Sequence, residues 1–151
     1  MLSTMVVAIA LASGSDSMTA PVLAPLLMGL DREVSGLMDA YLEAVPECPV
    51  REDTPVRLWL LDLAAFRASA AISRLHAAPC DGVPEAALKS YLASCESYIR
   101  LYAGLQEFYH GGGYDDPARS MELESLLIRA DSVWLASGAA LFGAMGEKEQ
   151  E

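Results

Sequence analysis

Basic residues are scarce in this chain, and their scarcity argues against two large classes of partner. The 151 residues include 10 Lys and Arg against 21 Asp and Glu, which gives a net charge of −11. Nucleic acids and anionic membrane surfaces are bound chiefly through Lys and Arg. We therefore expect neither as a partner, whereas the acidic surface suits a basic protein partner or serves solubility alone.

Cysteine is also scarce, and its pattern does not predict a disulfide framework. The chain has three cysteines, and the two in predicted loops, Cys48 and Cys80, follow successive helices. Such loops lie at opposite ends of an up-and-down bundle, about 36 Å apart for a helix of about 24 residues. A disulfide needs Cα atoms within about 7 Å. We therefore expect free thiols, Cys95 included, and a reducing, cytoplasmic compartment.

The apolar stretch at the N-terminus is too short to cross a bilayer, which takes roughly 20 residues. Residues 1–12 end in Ala10-Leu11-Ala12, as a secretory signal does, but no basic residue precedes the apolar core. Such a basic region is a normal part of a signal. We predict no transmembrane segment and interpret residues 1–18 as an apolar arm or extra helix. A degenerate signal on a secreted or periplasmic protein is the alternative.

Aromatic residues make up only 7% of the chain, and no segment alternates apolar and polar residues as a strand does. Helical spacing dominates instead. Proline is tolerated in the first turn of a helix and disrupts its interior. Four prolines each precede a long run with helical apolar spacing, and two of them follow good N-cap residues. The prolines are Pro21, Pro55, Pro84 and Pro117, and the caps are Thr54 and Asp116.

These starts predict an all-α fold, an up-down-up-down four-helix bundle over residues 19–146 with a charged tail at 147–151. The first run carries the clearest core-facing seam, in which apolar residues recur at steps of four and three. Short predicted loops are compatible with antiparallel neighbours. The seam residues are Leu23, Leu27, Leu30, Val34, Leu37, Tyr41 and Ala44.

The second run, from Pro55 to about Ala78, is apolar on most of its faces. A helix of that kind needs cover on more than one side. The end of the fourth run is rich in small residues, which let helix backbones approach closely. Both features predict contact with a partner protein or a second copy of the chain. The candidate interface residues are Leu58, Leu61, Ile72, Gly138 and Phe142.

A pocket between the second and third helices is the alternative site. A stripe rich in tyrosine follows steps of four and three along the third helix, and a buried phenol usually needs a hydrogen-bond partner. This tyrosine stripe consists of Tyr91, Cys95, Tyr98, Tyr102, Leu105 and Tyr109. In a hairpin centred near residue 81, Asp62 lies level with Arg100, and polar residues of the second helix would satisfy the phenols. The same stripe also suits a plain core with amphipathic edges. The pocket residues are Asp62, His76, Tyr98 and Tyr102.

Histidine is scarce as well, which argues against a metal site. Glu107 and His110 have the Glu-x-x-His spacing of ferritin-like di-iron bundles. Such sites need a second pair, and the only other histidine, His76, has Ser73 where the glutamate should be. We therefore predict no metal and no cofactor, and we interpret His76 as a residue that complements a helix dipole when protonated.

The sequence as a whole predicts a non-enzymatic helical protein that acts by binding another protein. It would serve as an assembly subunit, a chaperone-like partner, or an inhibitor or immunity-type factor. The alternative is a bundle that binds a small molecule or cofactor between its second and third helices.

Overall fold

The chain folds into four α-helices in the computed structural model, which describes residues 20–51, 53–78, 82–112 and 115–147. The predicted all-α four-helix bundle is confirmed. The predicted arm at 1–18 lies outside the described residues, as does the tail beyond Glu147. The helices are α1 (Ala20–Ala44), α2 (Leu58–His76), α3 (Glu85–His110) and α4 (Pro117–Glu147).

The bundle is built from two helical hairpins. α1 packs most extensively on α2, and α3 packs most extensively on α4. The contact between α2 and α3 joins the hairpins, while α1 approaches α3 and α4 over smaller areas. Each hairpin therefore has an outer side that the other hairpin leaves uncovered.

The core follows the predicted periodicity closely. All seven residues of the predicted α1 seam are buried, which confirms that seam. The tyrosine stripe of α3 is buried along its whole length, together with Cys95 and Leu105. α4 closes the core with one face of large apolar side chains, namely Leu123, Leu127, Trp134 and Leu141.

The start of α4 is confirmed, whereas the start of α2 was wrong. The Asp116 carboxylate accepts a hydrogen bond from the Arg119 backbone N–H at 2.9 Å, so Asp116 caps α4 as predicted. α2 begins at Leu58 and not at Pro55. The Arg57 backbone N–H donates to the Ala44 carbonyl at 2.9 Å, which ties the preceding loop to the end of α1 and delays the helix.

The predicted cap at Thr54 was wrong for the same reason. The buried Thr54 hydroxyl accepts a hydrogen bond from the Arg51 backbone N–H at 2.9 Å, within the loop. The glycine-rich stop after α3 is present, with the left-handed conformation at Gly112, where φ is 78°. That conformation carries little penalty for glycine and is unfavourable for other residues.

Candidate functional site

The four residues of the predicted pocket between α2 and α3 do not converge. On α2, Asp62 and His76 are fourteen positions apart, about 21 Å along the helix. Asp62 Oδ1 lies 2.7 Å from His110 Nε2 and accepts a hydrogen bond from Gln106 Nε2 at 2.6 Å. These contacts lie on the exposed edge between the two helices. Asp62 is thus part of a bridge between helices and not of a shared pocket.

The predicted register of the α2–α3 hairpin was also wrong. His76 Nε2 lies 2.7 Å from Glu96 Oε1, and this pair and the Asp62–His110 pair are both symmetric about residue 86. The prediction had placed Asp62 level with Arg100. Helical spacing along α3 does not specify how far the loop shifts that helix along the bundle axis.

Two phenols of the tyrosine stripe have their hydrogen-bond partners on α1 and α4 instead of α2. The Tyr91 hydroxyl donates to Asp31 Oδ1 at 3.0 Å, and the Tyr98 hydroxyl donates to Asp131 Oδ1 at 3.0 Å. The prediction that polar residues of α2 would satisfy the phenols was therefore wrong for these two residues. Tyr102 is buried, and its hydroxyl has no hydrogen-bond partner among the described residues.

A third tyrosine makes the same kind of link from α1. The Tyr41 hydroxyl donates to Glu124 Oε1 on α4 at 3.2 Å. The bonds of Tyr41 with Glu124 and of Tyr91 with Asp31 cross the smaller α1–α4 and α1–α3 contacts, whereas the bond of Tyr98 with Asp131 lies within the α3–α4 hairpin. Burial raises the pKa of all three phenols above the ordinary value of 10.0, so they remain neutral donors.

The ionised form of one of these carboxylates, Asp31, is disfavoured by burial. Burial raises the pKa of Asp31 above its ordinary value of 3.8, and the hydrogen bond from Tyr91 offsets only part of that effect. Partial burial of this half-buried side chain disfavours its charged form relative to the solvated carboxylate of the unfolded chain. Asp31 is thus a structural residue whose ionisation opposes folding.

The predicted metal pair does not form a metal site. His110 contacts Asp62, while Glu107 is exposed. Among the described residues, no group of three or more His, Cys, Asp or Glu side chains is placed to hold a metal ion.

The cysteines that the structure describes are free thiols. Cys95 is buried and Cys48 is half-buried. Burial raises the pKa of Cys95 to about 12, and burial is also the main cause of the raised pKa of Cys48. Both thiols are therefore poor nucleophiles at neutral pH. Cys80 lies outside the described residues.

Three of the predicted interface residues belong to the core. Leu61, Ile72 and Gly138 are buried by the chain's own helices, because the residues at those positions face the bundle. A Cβ at Gly138 would lie 3.5 Å from a ring carbon of Tyr91, so this glycine accommodates that ring. The other two predicted residues, Leu58 on α2 and Phe142 on α4, are half-buried.

An exposed row of residues runs along α4, and sequence reasoning did not identify it. Its six members recur at steps of four and three over nearly three heptads, which is the spacing of a helix–helix seam. All six are exposed. We call this row the outer seam of α4; it consists of Met121, Ser125, Ile128, Ser132, Leu135 and Ala139.

The polar atoms of the outer seam are already hydrogen-bonded within α4. Ser125 Oγ donates to the Met121 carbonyl at 2.9 Å, and Ser132 Oγ donates to the Ile128 carbonyl at 3.0 Å. No charged residue lies between Asp131 and Glu147. A helix that covered the C-terminal half of this seam, from Ser132 to Ala139, would therefore bury little unsatisfied polar surface.

A second exposed surface lies between the outer sides of α1 and α2. It is a groove of about 360 Å³, open to solvent, and its lining includes the small residues Gly29 and Ala70. On α2 the groove continues into an exposed row at helical spacing, which we call the α2 outer row: Trp59, Leu63 and Phe66.

α4 is the one described helix that is long and apolar enough, by length and composition, to cross a membrane, over Pro117–Gly146. A single such helix is weak evidence, since core helices of soluble proteins pass the same test. Only 22% of its most apolar window is buried. Most residues of that window are therefore not buried by the other described residues.

Comparisons of the chain with protein-family models, with curated proteins and with solved structures give no match.

Proposed function

We propose that this protein is a non-enzymatic helical binding protein that acts by packing a helix of a partner protein against the outer seam of α4. The observation that carries the proposal is the seam itself: six exposed residues at steps of four and three on one helix. Isolated exposed apolar residues are common on proteins, whereas a contiguous apolar surface marks an interaction site.

The chemistry of the seam supports a helix as the occupant. Large residues at Met121, Ile128 and Leu135 alternate with small ones, which provides knobs and the holes between them. The serine hydroxyls in the row are bonded to their own helix, so they add no uncompensated polar group to a buried contact.

The net charge of the chain supports a different protein, and not a second copy, as the partner. Two copies that each carry −11 repel one another at long range, whereas a partner with basic residues beside its apolar face is attracted. Free thiols at Cys48 and Cys95 support a reducing, cytoplasmic setting for the encounter.

The interior supports a binding role over a catalytic one. Its ionisable side chains are used to hold helices together, as in the pairs of Tyr41 with Glu124 and Tyr98 with Asp131. The buried thiol of Cys95 has a raised pKa, which disfavours the thiolate needed for nucleophilic attack. The alternative site between α2 and α3 lacks support, since its four predicted residues face different neighbours.

The test is affinity purification of the full chain from its native cell with two matched variants. Ile128→Asp places a charge in the seam, and Leu42→Asp places the same charge at an exposed apolar position on α1; the two residues are 53% and 57% exposed. A charge buried without a partner costs about 3–5 kcal/mol, which weakens binding more than about 100-fold.

We expect the wild type and Leu42→Asp to retain the same partner and Ile128→Asp to lose it. Retention of that partner by Ile128→Asp would contradict the proposal. Recovery of the wild type as a homodimer without another protein would contradict the choice of partner. Flotation of the wild type and of Leu42→Asp with anionic or neutral lipid vesicles, but not of Ile128→Asp, would instead identify the seam as a membrane contact.

A further inference from the structure

The groove between α1 and α2 gathers positive charge on a protein that is otherwise acidic. Arg32 of α1 and Arg67 and Arg74 of α2 line it, three of the ten basic residues of the chain. Among the described residues that line it, the only carboxylate is that of Glu33, which lies 3.2 Å from Arg32. Arg67 and Arg74 form no ion pair with any described residue. Two guanidinium groups are therefore available to a ligand.

The apolar part of the site lies beside these guanidinium groups. A Cβ built on Gly29 would meet no atom within 4 Å, so the space above this glycine is open. Phe66 lies at the edge of the groove with 71% of its surface exposed, and Trp59 of the α2 outer row is 62% exposed. The ligand must therefore combine apolar groups with negative charge.

The length of the site favours a peptide over a small anion. Trp59 and Arg74 are fifteen positions apart, which is about 22 Å along a helix at 1.5 Å per residue. Arg67 and Arg74 are two turns apart, about 10 Å, so they would pair with separate carboxylates. An extended peptide of about seven residues spans the whole site.

We propose that this groove and the α2 outer row bind an acidic peptide segment of a partner protein. Its carboxylates pair with Arg67 and Arg74, and an apolar side chain occupies the space above Gly29. This site is separate from the outer seam of α4 and does not depend on the proposed function. The net charge of −11 opposes an acidic ligand at long range, so binding depends on short-range pairing in the groove.

The test uses a displayed library of random peptides of about seven residues, the length that spans the site when extended. The library is selected on the purified full chain at about 0.15 M salt, which screens the long-range repulsion of an acidic peptide. Library peptides selected on the wild-type protein should be enriched in Asp and Glu beside a large apolar residue. The best of them is then measured by fluorescence anisotropy against the wild type and three variants.

Two variants should each weaken the binding of that peptide about tenfold or more. Arg67→Glu/Arg74→Glu reverses the free charges, and Gly29→Leu fills the groove without changing any charge. The control Arg100→Glu/Arg129→Glu makes the same charge change at exposed arginines outside the groove and should leave binding within about twofold.

Three results would overturn the proposal. The first is that the selected peptides show no excess of acidic residues. The second is that they bind Arg67→Glu/Arg74→Glu and Gly29→Leu as tightly as they bind the wild type. The third is that the wild type is a dimer that becomes monomeric on Arg67→Glu/Arg74→Glu, which would make a second copy the occupant of the groove. Circular dichroism of each variant checks that the fold is retained.

Discussion

Gly29 offers a substitution that should make the protein more stable while it changes the α1–α2 groove. Glycine inside a helix costs about 0.5–1 kcal/mol relative to alanine, because it loses more backbone freedom on folding. Gly29 lies in the middle of α1, and a Cβ there meets no atom within 4 Å. Gly29→Ala should therefore raise the free energy of unfolding by about 0.5–1 kcal/mol.

This gain is measurable by differential scanning calorimetry and by urea titration. In a domain of this size, 1 kcal/mol moves Tm by about 2–4 °C, so we expect a rise of about 1–4 °C. Gly104→Ala is the matched control, since Gly104 lies inside α3 and also has no atom within 4 Å of a built Cβ. The two variants should gain similar stability.

A longer side chain at the same position distinguishes an effect on stability from an effect on the groove. Leucine has nearly the helix propensity of alanine, so Gly29→Leu should also fold at least as stably as the wild type. Only at Gly29 does the added side chain enter the groove. Loss of stability in Gly29→Ala, with a gain in Gly104→Ala, would refute the reasoning, because it would mean that the space above Gly29 is filled.

Three further predictions concern the half-buried Asp31, the two tryptophans and the buried Cys95. Asp31→Asn should become increasingly stabilising, relative to the wild type, as pH rises from about 4 to 7. The native pKa of Asp31 is raised, so its ionisation favours the unfolded chain, while an amide oxygen still accepts the hydrogen bond from Tyr91; parallel urea midpoints across this range would contradict the expectation. Acrylamide should quench Trp59, which is exposed, and spare Trp134, which is buried; this is checked by comparing Trp59→Phe with Trp134→Phe, and equal quenching of the two would be inconsistent with the fold. Iodoacetamide at pH 8 should leave Cys95 unmodified in the folded protein, because burial raises its pKa to about 12; peptide mass mapping checks this, and rapid modification would show that the thiol is accessible.

The sequence was sufficient to predict which faces of the helices are buried. The α1 seam from Leu23 to Ala44 and the stripe from Tyr91 to Tyr109 follow from helical periodicity alone, since burial of one helical face is a local property. Periodicity does not specify which helix stands opposite. Asp31 and Asp131 were therefore missed as partners of the phenols, although both lie within helices that were predicted.

The surfaces were harder to predict because a helix with two apolar faces is ambiguous. On α2, apolar spacing does not distinguish Leu61, which is buried, from Phe66, which is exposed. On α4, the spacing from Met121 to Ala139 was present as a signal. It was overlooked because the stronger face from Leu123 to Leu141 already accounted for a helix in the bundle.

The most direct test of the central proposal is photocrosslinking from the outer seam of α4. A photoreactive p-benzoylphenylalanine replaces Ile128 in one full-length chain and Leu42 in another, and both are expressed in the native cell. We expect irradiation to yield one discrete adduct from position 128, with the mass of the chain plus a different protein, and no such adduct from position 42. The same adducts from both positions, or none from position 128, would contradict the proposal that α4 binds a partner protein.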